Sequence, residues 1–284
     1  MNRRQTRILS VALVLLVVVT RAVHANETPL TFGIFPRWNA QITVRDFTPL
    51  AILLGQDLGR PVRIETDKDF DSFMNRVYAR KFDIVHLNQL QYVQAHQKAG
   101  YRAIAKMCDK ASCTIKAVIV TRRDTGISTV ADLRGKIIAF ADPGAMVSHI
   151  LAKSVLREQG LKTAHYTTIF ARNPPNALLA VYNAEADAAG VGESVLQREE
   201  IKQLIDLNQL RILAQSRPIP HLPIAVNSDL DRTIAQRVQQ ILTGLAKRPD
   251  GRRILGQIGI DRFEAADDRE YAVVRKLSRD GDAD

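Results

Sequence analysis

Short apolar runs alternate with stretches in which apolar residues return every three or four positions along most of the chain. The runs at 30–35, 61–66, 83–87, 102–107, 115–121, 136–140, 167–170, 187–191 and 210–215 predict strands. Between them, Phe47, Leu50, Ala51, Leu54 and Leu58 share one helical face that Gly59 ends, and Phe70, Phe73, Met74 and Val77 mark a second helix over about 69–80. A further helix is expected from Ser128 or Thr129 to Arg134-Gly135, another to carry Ile150, Leu151, Val155 and Leu156, and another to cover about 175–182. The last third reads as helical, with the stripe Ile234, Val238, Ile241 and Leu242 and a shorter helix over 249–258. This alternation predicts an α/β architecture with largely parallel strands.

In such folds ligands sit beyond the carboxyl ends of the strands, so the residues that follow each run are the candidates. Arg37 and Trp38 follow the first run, and Asn88, Gln89 and Tyr92 follow the third. Asn88 and Gln89 serve either as helix caps or as uncharged donors and acceptors for a ligand. After Phe140 comes the turn Asp142-Pro143-Gly144, and then Ala145, Met146, Val147, Ser148 and His149 lead into a helix. A strand, turn and helix in that order aims free backbone N–H groups at whatever lies before the helix, which suits an oxyanion or a polar small molecule. Glu193, within Gly192-Glu193-Ser194, follows a later strand. His86 lies on a strand and reads as a packed core side chain.

At the N-terminus, Arg3, Arg4 and Arg7 precede an apolar run from Ile8 to Val19, and Val23-His24-Ala25 ends in small residues. This is the pattern of a cleaved export signal over 1–25, with the mature chain starting near Asn26 and no membrane insertion thereafter. Removing it takes away four arginines and no acids, which lowers the net charge from +10 to +6. That scattered excess attracts small anions, and without a basic arm it does not suggest nucleic acid. Cys108 and Cys113 are the only cysteines. In an oxidising compartment they form a local disulfide; reduced, they are soft ligands for a thiophilic element. Neither a nucleophile elbow, a P-loop, a dinucleotide-binding glycine pattern nor a zinc-protease motif is present. An enzyme using Cys108 or Cys113 with His149 or His221 as base is the remaining catalytic reading, and a non-enzymatic protein without cofactor is expected.

Five stretches occur in an order that resembles the phosphate/phosphite/phosphonate-binding family of periplasmic binding proteins. They are Phe32-Gly33-Ile34-Phe35-Pro36; Pro49-Leu50 through Leu58-Gly59-Arg60-Pro61-Val62; Phe82-Asp83-Ile84 with Tyr92; Asp132-Leu133-Arg134-Gly135-Lys136 with Asp142-Pro143; and Ser216-Arg217-Pro218-Ile219-Pro220 with Pro223-Ile224-Ala225-Val226. The resemblance implies a type II, two-lobed Venus-flytrap with two crossover strands and a ligand in the cleft. Its expected parts are lobe 1 over 26–117, lobe 2 over 118–218, and a return to lobe 1 with C-terminal helices over 219–284. Phosphonate binders of the family carry a Ser-Thr-Ser-Gly run after Asp-Pro-x, whereas Ala145-Met146-Val147-Ser148 stands here. The loss of hydroxyls disfavours a doubly charged head group. The chain is similar to arsenite-responsive members that signal to a membrane sensor histidine kinase, which carry a cysteine where Cys108 stands. The resemblance therefore implies a periplasmic protein that binds arsenite or a related small oxyanion, through Cys108 if it is reduced. The alternative is delivery of phosphonate, phosphite or phosphate to an ABC permease.

Overall fold

The computed structural model describes residues 28–109 and 112–281, and the expected signal segment lies outside the described residues. The chain begins with β1 (Leu30–Ile34), α1 (Ala40–Leu58), β2 (Val62–Glu65), α2 (Phe70–Tyr78), β3 (Ile84–His86), α3 (Gln89–Ala99) and β4 (Arg102–Cys108). A short β5 (Thr114–Ile115) then leads to β6 (Ala117–Arg122), β7 (Ile137–Phe140), α4 (Ala152–Glu158), β8 (Thr167–Phe170), α5 (Pro174–Tyr182), β9 (Ala188–Gly192), α6 (Glu199–Leu204) and β10 (Leu210–Gln215). The chain returns through β11 (Ile219–Pro220) to β12 (Pro223–Val226), α7 (Arg232–Gly244), α8 (Pro249–Ile258), β13 (Arg262–Ala265) and α9 (Ala272–Gly281).

Two sheets result, one ordered β13-β4-β12-β3-β1-β2 and the other β10-β6-β9-β7-β8. Each is the core of one lobe, and the β5–β11 ladder lies where the chain passes between them. The expectation of largely parallel strands is corrected. β1 is parallel to β2 and β3, and β7 to β8 and β9, but β12, β13, β6 and β10 all pair antiparallel. The exchange between lobes is the reason for β6 and β12, which arrive from the other lobe and run against their neighbours, so that β10 is antiparallel to β6; β13 is reversed separately, on the edge beside β4. The last third is also less helical than expected. Arg262–Ala265 forms an edge strand on β4, with Phe263 buried opposite Met107. The stretch after Thr129 makes only a single turn, Val130–Leu133, closed by a capping box between Thr129 and Asp132.

Local chemistry explains how these elements aim at the cleft. Asn39 caps α1 by accepting from the Ile42 N–H at 2.9 Å, so the helix starts just after the Arg37-Trp38 loop. Gly190 on β9 lets α4 lie close against the sheet. A Cβ there would come within 2.6 Å of the Ala152 Cβ and 2.7 Å of the Phe140 ring. The lobes touch across the cleft: the Arg198 guanidinium donates to Asp46 at 3.0 Å with both side chains buried, and lies 4.7 Å over the ring of Trp38.

Candidate functional site

The turn after β7 is built by Asp142. Its Oδ1 accepts from the Gly144 N–H at 2.8 Å, while its carbonyl accepts from the Ala145 N–H at 3.0 Å. Helical bonding then begins with the N–H groups of His149 and Ile150, both donating to the Ala145 carbonyl at 3.1 and 3.2 Å. The first turn, Met146–Leu151, is a wide π-turn that runs directly into α4. The N–H groups of Met146, Val147 and Ser148 precede its first helical bond and form the positive end of the helix. Burial, opposed by the Gly144 hydrogen bond and reinforced by Asp71 and Asp69 across the cleft, raises the Asp142 carboxyl above its usual range.

The strand ends of lobe 1 supply the opposite wall. Asn88 is a cap, in a reciprocal box with Gln91 at 2.9 and 3.1 Å, and it is also a cross-cleft donor, its Nδ2 reaching the Gly144 carbonyl at 3.1 Å. Gln89 is fully buried, and its Nε2 donates to the Pro220 carbonyl on the crossover strand at 2.8 Å. These side chains enclose a cavity of about 50 Å³ with Arg37, Ala145, Met146, Val147 and Ser148. That is space for a few waters or one small ligand. Phe35, Phe70, Ile115, Leu222 and Ser194 complete the wall, so it is mostly apolar. Arg37 makes no ion pair among the described residues. Burial, and then the charge of Arg198, pushes its guanidinium down to about 10, so it is still a cation at neutral pH.

Five expected site residues lie elsewhere. Trp38 belongs to the apolar cluster of lobe 2, because a large ring is better buried in that cluster, with the Arg198 guanidinium over its face, than left at the small cavity. Tyr92 is buried in lobe 1, where its hydroxyl donates to Asp268 at 3.0 Å and accepts from the Ala103 N–H at 3.2 Å, and burial raises its pKa. His149 supports the turn from behind: its ring stacks edge-on between Phe140 and Phe170 and its Nδ1 lies 2.9 Å from the Pro143 carbonyl. Burial lowers its pKa. Glu193 lines a larger outer chamber of about 930 Å³ together with Asp109, Asp46 and Arg198, and Ser194 lines both spaces. Cys108 is buried and joined to Cys113, so neither sulfur is a free thiol, and the pair does not line the small cavity. The bridge closes the loop between β4 and β5, and the Glu264 carboxylate lies near both sulfurs.

Sequence reasoning missed the apolar wall. Phe35 and Phe70 read as core periodicity, and Ile115 and Leu222 become neighbours only when the two crossover segments meet. Ser194 was within reach, as it follows Glu193 at the end of β9.

A family model described as "ABC transporter, phosphonate, periplasmic substrate-binding protein" matches residues 32–271. The phosphonates-binding periplasmic protein of Escherichia coli is 24% identical over 268 residues, covering 90% of this chain and 78% of that protein. The tetrathionate sensor histidine kinase of Salmonella typhimurium is 29% identical over 199 residues, covering 67% of this chain but only 33% of the kinase. Among solved structures, PhnD1 of Prochlorococcus marinus in complex with methylphosphonate superposes with a TM-score of 0.82 at 16% identity, over 90% of this chain and 98% of that one. The two-lobed architecture is therefore the type II periplasmic binding protein fold. These relatives are solute-binding proteins and a sensor, and the binding proteins are not enzymes.

Proposed function

Because the chain belongs to the phosphonate-binding family of periplasmic substrate-binding proteins, we propose that it is a periplasmic receptor for a small, weakly charged oxyacid, with arsenite as the favoured ligand, and that its closed form signals to a membrane sensor histidine kinase. The lobes on this reading run over 26–117 with 219–284, and over 118–218. The observation that carries it is the cavity: about 50 Å³, with a single cation, Arg37, and an apolar Ala145-Met146-Val147 rim. A dianionic head group would find one positive side chain and helix N–H groups there. Each charge-assisted hydrogen bond that the missing hydroxyls do not make costs about 1.5–3 kcal/mol. Arsenous acid is neutral at ordinary pH and carries three hydroxyls, so it loses little by the change. With Cys108 and Cys113 bridged, the arsenic is held through its oxygens rather than by sulfur.

The kinase partner is supported by the likeness to a sensor histidine kinase that spans two thirds of this chain. Signalling follows if the ligand binds the closed form better than the open one, since only differential affinity shifts that balance. The family match itself favours a second reading, delivery of phosphonate, phosphite or phosphate to an ABC permease. Calorimetry with arsenite, arsenate, phosphate, phosphite and methylphosphonate separates the two. Arsenite is expected to bind and methylphosphonate to bind weakly; tight binding of methylphosphonate alone refutes the arsenite reading.

A further inference from the structure

Gln89 is fully buried in the cavity wall, and its two arms have different fates. The arm 2.8 Å from the Pro220 carbonyl must be the amide nitrogen, because a carbonyl only accepts. That fixes the other arm as Oε1, an acceptor, and it has no hydrogen-bond partner among the described residues. A buried amide oxygen left bare is costly, so a molecule in the cavity that offers it an O–H is strongly preferred over one that offers only lone pairs. Most other polar groups of the wall do not replace it: Arg37 and the N–H groups of Met146 to Ser148 are donors, and both arms of Asn88 are engaged, by the Gly144 carbonyl and the Gln91 N–H. The hydroxyls of Ser148 and Ser194 can either donate or accept and so do not discriminate between a protonated and an ionised ligand.

Resting on the oxyacid reading above, we infer that Gln89 selects the protonated form: the cleft takes oxyacids that keep at least one O–H and rejects those that are fully ionised. The ligand's hydroxyl donates to Gln89 Oε1 while its other oxygens accept from Arg37 and the helix N–H groups. Because the opposite arm of Gln89 holds the crossover strand at Pro220, the same residue links ligand occupancy to the junction between the lobes. Affinity for a titrating oxyacid then follows the fraction that still carries the proton. Arg37, His86, Asp69, Asp71, Asp142, His149, Asp109, His221 and Glu193 stand on the elements around this wall, and comparing two dianions at one pH exposes both to the same protein charges.

Inorganic phosphate and sulfate make the test, since both are tetrahedral and only phosphate keeps a proton near neutrality. Calorimetric titrations of the full chain are run at pH 6 and pH 9, with arsenite as a third probe. Phosphate keeps at least one O–H at both pH values, as the dihydrogen monoanion and as the monohydrogen dianion. It is expected to bind on the order of a hundredfold more tightly than sulfate at pH 6 and still at pH 9, where both anions are dianions and only phosphate has the O–H. In Gln89→Leu, checked for folding by its thermal transition, the phosphate and sulfate affinities should converge. Equal affinities for phosphate and sulfate in the unmodified protein overturn the selection by Gln89 while leaving the oxyacid reading intact. If none of the three probes binds, the oxyacid reading itself fails and takes this inference with it.

Discussion

At the scale of single residues, the proposed function makes Arg37 the group that decides how much charge the cleft tolerates. It is the one cation in the wall of the small cavity, it makes no ion pair among the described residues, and it is steadied only by the more distant charges of Asp109 and Asp46 and by the Trp38 ring at 5.9 Å. Arg37→Gln is expected to weaken a methylphosphonate dianion by about tenfold to a hundredfold. Arsenite, being neutral, should lose less than about threefold by calorimetry. An equal loss for both ligands would remove the argument from charge. His86 supplies a pH dependence. Burial first, and then the charges of Arg37 and His221, push it well below its usual 6.5, against a weaker pull from the Pro223 carbonyl 3.2 Å from Nδ1. The unfolded chain therefore binds a proton below about 6.5 that the folded chain refuses. Stability from this group is complete above that pH and is lost as the pH falls below it. Melting temperatures between pH 7.5 and pH 5 should decline, and His86→Gln should flatten the decline. Arg37, Asn88, Gln89 and residues 145–148 were legible because each stands at the end of a strand or the start of a helix. Tyr92 and Trp38 stand at similar places, but whether a ring turns to the cavity or to the core depends on distant packing partners, Asp268 and Tyr271 for Tyr92 and Arg198 for Trp38, which adjacency in sequence does not carry.

Among the elements, the helix that starts at Met146 depends on how closely it lies against β9. Gly190→Ala puts a methyl group 2.6 Å from the Ala152 Cβ, so one side must move. A loss of about 1–3 kcal/mol is expected by denaturant unfolding, with weaker ligand binding because the N–H groups shift. The β4–β5 connection is held by the Cys108–Cys113 bridge, with the Arg262 guanidinium 3.4 Å from the Cys113 sulfur. Closing so short a loop is worth about 2 kcal/mol through the unfolded state. The Cys108→Ala, Cys113→Ala double variant should therefore melt lower by that amount yet still bind arsenite; loss of arsenite binding would return the sulfur to the site. Most strands and the cleft-facing helix starts could be read from periodicity. The strand Arg262–Ala265 could not, since only Phe263 in it is a large apolar residue and its pairing with β4 spans much of the chain.

For the whole molecule, the proposed function rests on closure, and on that proposal the contacts between the lobes set its balance. Arg198 lies between Asp46 and Trp38, and Glu200 accepts from both Arg198 and Arg45. Breaking a buried pair costs about 3–5 kcal/mol when the remaining charge is stranded, and less here because Asp46 keeps Arg45. Arg198→Ala should shift the protein toward an open form, seen as a larger radius of gyration in small-angle scattering that added ligand partly reverses. An unchanged radius would mean that this pair does not control closure. The two-lobed architecture was legible as an ordered set of family motifs, but the mixed sheets were not, because they follow from strands exchanged between lobes rather than from any local pattern. The central claim is that arsenite sits as an oxyacid between Gln89, Arg37 and the N–H groups of Met146 to Ser148. Its most direct test is an anomalous difference map at the arsenic edge from crystals grown with arsenite. The account predicts one arsenic peak in the cavity between Gln89 and the start of that helix, with the disulfide intact. A peak at Cys108 and Cys113, or none between the lobes, would contradict it.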